Sequence, residues 1–490
     1  MSLSKHESID QRLEEAAIAH GKEVQAVEDP DAEFGGTDRR RKLERKLLWK
    51  IDLRMSILIV IYILNYVDRN NAGAARLKGF EEGLHLQGEE FATLLSILYV
   101  GYIIMQIPSN MFLNWIGKPS LYLPACMILW GMMSTLTGIC NNFVGALLTR
   151  FFLGFVEAAF FPGALFLISK WYKKDEIGLR MAILYCGSII SNAFGALMAS
   201  GILSGMDGAF GHAAWRWLFF IEGALTMAFA LLAIFILPDF PSNTRWLSDE
   251  ERSLAIRRME EDIGVGDQSE TEAHGQLHGL WLALADWRVW WMAVCITAQV
   301  IAVSFNAYFP TLTETLGYND TVSLLLCAPP FVFAALAAFT VSRHSDKTQE
   351  RFLHVIIPYL FGIVGFIIAI ATTNTAARYV SFFLMAQSYA GYVCFWAWVS
   401  NTFPRPPSKR AVAIALVNAI SQLGNISGSY IFPKMWDPTY NYSYAICIAN
   451  AGLGVLMCCF LRWYLGQENL RLEAEERERG VEVKGFRYVL

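Results

Sequence analysis

Six charged side chains interrupt the long apolar stretches of this sequence, and their types and positions suggest chemistry. Three are acidic and three are basic: Asp68, Arg69, Arg150, Glu157, Arg216 and Glu222. A charge near the middle of a bilayer is costly unless it is paired or hydrated, so such residues usually face an interior cavity. The sequence therefore predicts a polar site buried among membrane-spanning helices.

Asp68 and Arg69 are neighbours in the chain. Adjacent side chains on a helix point about 100° apart, so these two charges cannot neutralise each other and each needs its own partner. A guanidinium matches a carboxylate through two parallel hydrogen bonds. We therefore predict that Arg69 binds a substrate carboxylate and that Asp68 accepts a proton. The alternative is that both residues pair with other helices and only hold the bundle together.

Arg150 and Glu157 lie seven residues apart in one apolar stretch. Two helical turns separate them by about 10 Å, so we do not expect a direct ion pair. We predict instead that Arg150 is the charge partner of Asp68, which leaves Glu157 to gain and lose a proton in a low-dielectric site. A permanent bond between helices is the alternative for Glu157. Arg216 is expected to extend to the membrane interface, and the role of Glu222 stays open.

Other polar and aromatic side chains in the apolar stretches are weaker candidates, because most such groups only join neighbouring helices. Among them, we predict that Tyr66, Tyr102, Trp396 and Asn418 contact the substrate. The remaining members of this set are Tyr99, Gln106, Ser188, Asn192, Trp398, Gln422 and Asn425.

The sequence carries none of the motifs that would indicate an enzyme. It contains no HExxH zinc helix, no Walker loop and no Gly-x-Ser-x-Gly elbow. All nine cysteines fall inside apolar stretches, which argues against a zinc site or a disulfide framework. We therefore expect no catalysis, no cofactor and no metal ion, and we expect any transport to be driven by an ion or substrate gradient.

The elements that position these residues follow from composition. Of 490 residues, 54% are hydrophobic and 17% are charged, whereas a soluble chain carries about 25% charged residues. An ordinary soluble enzyme is therefore excluded, and the net charge of −4 argues against nucleic-acid binding. Apolar runs long enough to cross a lipid bilayer lie at 55–75, 91–112, 120–140, 142–169, 181–203, 215–237, 289–310, 321–342, 352–373, 379–402, 411–432 and 442–465. We predict an all-α membrane protein with twelve transmembrane helices in two six-helix bundles.

The polar segments between these runs predict the domain organisation. The predicted parts are a tail at 1–54, a bundle at 55–238, a central loop at 239–288, a second bundle at 289–465 and a tail at 466–490. Ser248 and Glu251 have the spacing of a capping box, so the loop is expected to contain a surface helix. Lys and Arg are concentrated in the tails and in the loops on one side, which predicts that both termini are cytoplasmic.

Several motifs, spread over most of residues 45–465, resemble one known family. They are Asn65-Tyr66-Val67-Asp68-Arg69-Asn70, Tyr102-x-x-x-Gln106-x-Pro108-Ser109-Asn110, the stretch from Arg150 to Gly163, Trp215-Arg216-Trp217 through Gly223, Leu237-Pro238-Asp239-Phe240-Pro241, and Lys409-Arg410-Ala411-Val412-Ala413. Together they resemble the major facilitator superfamily, and within it the fungal allantoate permease group of the anion:cation symporter family. The second inner loop departs from the superfamily pattern around Asn114 and Lys118.

The resemblance implies uptake of a small organic anion, driven by protons, through alternating access in a fungal plasma membrane. It implies that Arg69 clasps the substrate carboxylate, that Asp68 and Glu157 carry protons, and that Tyr66 and Tyr102 line the site. A vitamin such as nicotinate is the first candidate substrate, and a monomer is the family default. Two alternatives stay open: a transporter-like nutrient receptor that signals through its tails, and an organic-anion uniporter that ignores protons.

Overall fold

The computed structural model describes residues 32–244, 246–403, 407–478 and 487–490. Within these ranges the chain is helical and contains no strand, which confirms the predicted all-α class. The principal helices are α1 (Thr37–Met55), α2 (Ile57–Arg76), α3 (Glu90–Ile116), α4 (Pro119–Thr137), α5 (Phe143–Glu157), α6 (Phe160–Trp171), α7 (Lys174–Gly205), α8 (Ala214–Ile236), α9 (Asp249–Ala285), α10 (Trp287–Ala302), α11 (Phe309–Glu314), α12 (Asp320–Thr348), α13 (Phe352–Ala371), α14 (Thr375–Ala386), α15 (Ser388–Thr402), α16 (Pro407–Gly428) and α17 (Asn441–Glu478). A single turn at Phe80–Gly83 follows α2, and short 3₁₀ helices lie at Ala32–Phe34, Ala209–Gly211, Ser304–Tyr308 and Lys434–Trp436.

The predicted apolar runs coincide with helices or with pairs of consecutive helices. Nine helical stretches in the described ranges are long and apolar enough to cross a membrane. The run at 142–169 is formed by α5 and α6, the run at 289–310 mainly by α10 with the start of α11, and the run at 379–402 by α14 and α15. Several spans are therefore interrupted inside the bundle.

Two of these interruptions are explained by proline. Pro162 lies in the first turn of α6 and has no N–H, so it cannot bond the carbonyl of Ala158 four residues earlier. The helix that precedes it ends at Glu157. Pro310, at the start of α11, acts in the same way on the carbonyl of Asn306. As a result, Glu157 lies at the junction of α5 and α6, where a helical hydrogen bond is missing although Ala158 and Ala159 keep helical φ and ψ.

Helices α2–α8 pack into a first bundle and α10–α17 into a second. The two bundles meet where α7 packs along α12 and α3 along α16. Ion pairs also join them: Lys78 Nζ lies 2.7 Å from Asp320 Oδ2, and Lys434 Nζ lies 3.5 Å from Glu81 Oε2. We call the end of the molecule that carries these two ion pairs the far end, because α1 and α9 lie at the opposite end.

The predicted surface helix of the central loop is confirmed as α9. Ser248 Oγ accepts from the Glu251 amide, and the Glu251 carboxylate accepts from the Ser248 amide. The N-terminal tail, for which no structure was predicted, contributes α1, which packs on α9 through ion pairs. The most buried cation of this contact is Arg258, which is 1% exposed and bonds Glu44 at 2.5 Å and Glu176 at 2.6 Å. The ion pairs thus link the tail, the central loop and α7.

Asp286 anchors the start of the second bundle. Its carboxylate accepts hydrogen bonds from Arg288 Nη2 at 2.7 Å and from Lys409 Nζ at 2.8 Å. Burial alone would raise the pKa of Asp286, but the hydrogen bonds from Arg288 and Lys409 lower it from 3.8 to about 2. The cluster therefore stabilises the carboxylate in its charged form.

We predict that Asp286→Asn destabilises the protein at neutral pH by about 2 kcal/mol, the equivalent of this pKa shift. Because the folded-state pKa lies below the unfolded value, the ionised carboxylate stabilises the protein above about pH 4. That contribution is lost as the pH falls towards about 2. Thermal unfolding of the purified protein across this range checks the prediction.

The gap between wild type and Asp286→Asn should close on acidification. The matched control is Asp249→Asn, whose carboxylate is 98% exposed and should change stability by less than about 0.5 kcal/mol. An equal destabilisation by Asp286→Asn at every pH would contradict the prediction.

Candidate functional site

A cavity of about 120 Å³ lies between the two bundles. Seven of the eight predicted site residues line it: Tyr66, Arg69, Tyr102, Arg150, Glu157, Trp396 and Asn418. Asp68 is buried at 1% exposure and is not among the lining residues. The structure therefore gathers residues from three widely separated parts of the chain around one space.

Arg69 is the charged group at the centre of this cavity. Its Nε and Nη2 donate to Glu157 Oε1 at 2.8 and 2.5 Å. The guanidinium also lies over the rings of Tyr66, Tyr99 and Tyr102, at 4.9, 5.7 and 5.1 Å from their centroids. These contacts favour a cation at this position through the negative faces of the rings. Arg69 is thus held by one carboxylate and an aromatic cage.

Only one of the two carboxylate oxygens of Glu157, Oε1, accepts hydrogen bonds from Arg69. Its Oε2 atom is buried and has no hydrogen-bond partner among the described residues. An ionised carboxylate with an unpaired oxygen in an apolar environment is costly. Protonation of that oxygen, or the arrival of a donor, would remove this cost.

Asp68 faces away from the cavity, towards α4 and α8. It accepts hydrogen bonds from Ser134 Oγ at 3.0 Å and from Thr226 Oγ1 at 2.6 Å. The predicted ion pair between Arg150 and Asp68 is not formed. Arg150 Nη1 lies 3.3 Å from the backbone oxygen of Asp68, and its Nη2 donates to Asn71 Oδ1 at 2.6 Å. The rotation of α2 presents the Asp68 backbone to Arg150 and turns its carboxylate to two hydroxyls.

The second bundle contributes polar groups opposite Arg69. Asn418 Oδ1 accepts from Gln422 Nε2 at 3.4 Å, and Gln422 Oε1 accepts from Asn425 Nδ2 at 2.9 Å. Trp396 Nε1 is buried without a hydrogen-bond partner among the described residues. This wall therefore offers neutral donors and acceptors, whereas the first bundle offers charge.

Some cavity residues were missed by sequence reasoning. They are Tyr62, Asn65, Asn70, Tyr185, Tyr389 and Tyr392. Tyr389, Tyr392 and Trp396 follow i, i+3, i+7 spacing, so they share one helical face. This spacing was the available signal, but in an apolar run it does not distinguish a cavity face from a lipid face.

Glycine brings α3 and α5 close enough to form the site. A Cβ added at Gly154 would lie 1.9 Å from the backbone oxygen of Leu98. Gly101 lies three residues after Leu98 on α3, and a Cβ added there would lie 2.3 Å from the backbone oxygen of Phe151. The two helices therefore touch backbone to backbone next to Glu157.

We predict that Gly154→Ala separates α3 from α5 and destabilises the protein by about 3 kcal/mol or more, because backbone must move to admit the methyl group. The matched control is Gly452→Ala, where an added Cβ meets nothing within 4 Å. That change should be neutral or slightly stabilising, because alanine favours helix. Thermal unfolding of both purified variants provides the measurement, and equal behaviour would contradict the prediction.

Comparison with known proteins places these features in context. Residues 58–429 match the model of the Major Facilitator Superfamily. The MFS-type transporter cnsO of Penicillium expansum is 33% identical over 91% of this chain and 88% of its own length. The major facilitator-type transporter hxnP of Emericella nidulans is 27% identical over 89% and 88%. A solved D-xylose-proton symporter aligns with a TM-score of 0.62 at 16% identity, over 82% of this chain and 96% of its own, which shows a shared fold.

Proposed function

The chain belongs to the Major Facilitator Superfamily, and we propose that this membrane transporter is a proton-coupled symporter for a small organic carboxylate. Nicotinate or a similar vitamin is the first candidate substrate. We place it in the anion:cation symporter family and in the plasma membrane, with both termini cytoplasmic. The observation that carries the proposal is the Arg69–Glu157 ion pair in the central cavity.

The ion pair makes substrate and proton interdependent. Arg69 offers the guanidinium fork that a substrate carboxylate needs, but Glu157 already occupies it. If Glu157 takes a proton, its attraction for Arg69 falls and the fork is free for the incoming anion. If Glu157 stays ionised, two carboxylates compete for one cation. Anion binding therefore requires a proton, which is the condition for symport.

The contacts between the bundles fit alternating access. The ion pairs Lys78–Asp320 and Glu81–Lys434 close the far end of the molecule. With the tails in the cytoplasm, the far end is extracellular and the structure is a state closed to the outside. Opening would require these pairs to separate as the two bundles rock about the cavity.

The cavity walls bear on the class of substrate. A space of about 120 Å³, with tyrosine rings around the cation, suits a compact anion that carries a flat ring. The amide groups of Asn418 and Gln422 on the opposite wall suit a second, uncharged polar group. Nicotinate has a carboxylate, a ring and a ring nitrogen in that order.

Uptake by proteoliposomes tests the proposal. Labelled nicotinate is measured beside a panel of vitamin, sugar-acid and dicarboxylate anions, with and without an inward proton gradient. We expect one anion to accumulate and the accumulation to collapse on addition of a protonophore. Uptake that ignores the gradient would support the uniporter, and binding without uptake would support the receptor.

We predict that Arg69→Ala weakens anion binding by about 10- to 100-fold, because it removes charge-assisted hydrogen bonds. Glu157→Gln should keep exchange of internal for external anion but reach a lower accumulation in a proton gradient, because the proton of Glu157 no longer moves with the anion. Exchange needs no net proton transfer, and glutamine leaves Arg69 accessible at every pH. Both variants are measured with the anion that wild type accumulates in the uptake panel.

The control for these variants is Glu82→Gln, which removes one carboxylate from an exposed position at the far end. It should bind and accumulate the anion as wild type does. Full proton-driven accumulation by Glu157→Gln would refute the coupling role of Glu157.

A further inference from the structure

A second, smaller cavity of about 40 Å³ adjoins the central one. The two share Asn70, Asn192 and Asn306 as lining residues. A polar cavity of this size has room for at least one water molecule. We call this smaller cavity the branch: it extends towards α8 from the shared asparagines, of which Asn70 Nδ2 donates to Asn192 Oδ1 at 2.9 Å.

Glu222 lies on the wall of this branch and has no assigned role. It is 2% exposed, and its Oε2 has no hydrogen-bond partner among the described residues. Asn71 lines the same branch; its Oδ1 accepts from Arg150 Nη2 at 2.6 Å, and its side chain lies beside the carboxyl group of Glu222. One amide thus lies between a buried cation and the pocket of a buried carboxylate.

The charges around the branch do not balance. Among the residues of α2–α8 whose side chains the structure describes, the buried acids are Asp68, Glu157 and Glu222 and the buried cations are Arg69 and Arg150. Arg69 is paired with Glu157, so Asp68 and Glu222 share the attraction of Arg150. An unpaired buried carboxylate is strongly disfavoured. A bound anion raises the number of negative groups to four against two cations, so the loaded site needs two protons, of which Glu157 holds one.

The surroundings of Asp68 and Glu222 favour Glu222 as the site of the second proton. Asp68 is bonded by two hydroxyls and does not line either cavity. Glu222 has an unpartnered oxygen and a polar branch to the centre. The charged groups that face it are Asp68 on α2 and Arg150 on α5, and the thiol of Cys327 on α12 lines the far wall. Helix α4 contains no charged residue.

We propose that Glu222 is an additional proton-carrying residue, which exchanges its proton with the central cavity through the branch beside Asn71 and Asn192. With the anion on Arg69, Glu157 and Glu222 each hold a proton, and both protons leave the site with the anion. Each anion then moves with one more proton than Glu157 alone carries. The inference rests on the proton-coupled transport proposed above.

The test measures protons per anion in proteoliposomes that contain a pH-sensitive dye. The probe is labelled nicotinate, or the panel anion that replaces it. Glu222→Gln should carry one proton fewer per anion, which lowers maximal accumulation about tenfold at a gradient of about one pH unit. Glu222→Asp should keep the proton count with a shifted pH optimum, and Glu82→Gln should match wild type.

The outcomes separate the two proposals. If wild type moves the anion without protons, both the proposed function and the proton-carrying role of Glu222 are wrong. If wild type is coupled but Glu222→Gln moves the same number of protons, only the role of Glu222 is overturned. A sodium requirement that Glu222→Gln abolishes would likewise overturn a proton role.

A folding defect in Glu222→Gln does not end the test. Glu222→Asp retains the carboxylic acid, and a titrating residue shortened by one methylene should shift the pH profile of uptake. Infrared difference spectra of wild type, with and without nicotinate, should show a protonated carboxyl band that Glu222→Asp moves. An unchanged profile and an unchanged band would overturn the proposal.

Discussion

The Arg69–Glu157 ion pair is the interaction on which the rest of the site depends. Arg69 is 9% exposed and Glu157 is 1% exposed, so neither charge is solvated by bulk water. Such charges are tolerated only while they compensate each other, and removing one partner leaves the other at high cost. An anion that takes Arg69 from Glu157 leaves an uncompensated carboxylate unless a proton arrives with it. In the proposed mechanism, the coupling of anion to proton follows from the low dielectric of the cavity.

The fold places Arg69 and Glu157 on separate helices and holds the carboxylate of Asp68 away from Arg69. Pro162 ends α5 at Glu157, and glycine at positions 101 and 154 lets α3 approach until backbone meets backbone. The hydroxyls of Ser134 and Thr226 hold Asp68 on the other side of α2. Neighbouring acidic residues are thus given different environments, which suits them to different roles in one cycle.

Sequence reasoning reached the helical class and predicted eight site residues, of which seven line the cavity, because buried charge in an apolar run is a strong signal. It did not predict which side chains form ion pairs and hydrogen bonds with each other. The spacing of Arg150 and Glu157 excluded a direct pair, but the rotation of α2 against α5 decides which atoms meet, and periodicity does not fix that rotation. The same limit hid Asn71, which takes the hydrogen bond predicted for Asp68.

Contacts between distant segments were equally out of reach. The charges of α1 were assigned to a cytoplasmic tail, yet Glu44 bonds Arg258, more than two hundred residues away in the chain. Tyr389 and Tyr392 have the pattern of any aromatic residue in a membrane helix, and only the packing of the bundles turns them towards the cavity. Local pattern predicts elements, whereas partner choice needs the assembled fold.

Proton uptake on anion binding tests the central claim most directly. Purified protein in weakly buffered detergent solution is mixed with the anion selected by the uptake panel, and the pH change is recorded. The account predicts that wild type takes up protons as it binds the anion, and that Glu157→Gln takes up fewer. Anion binding at Arg69 with no proton uptake by wild type would contradict it.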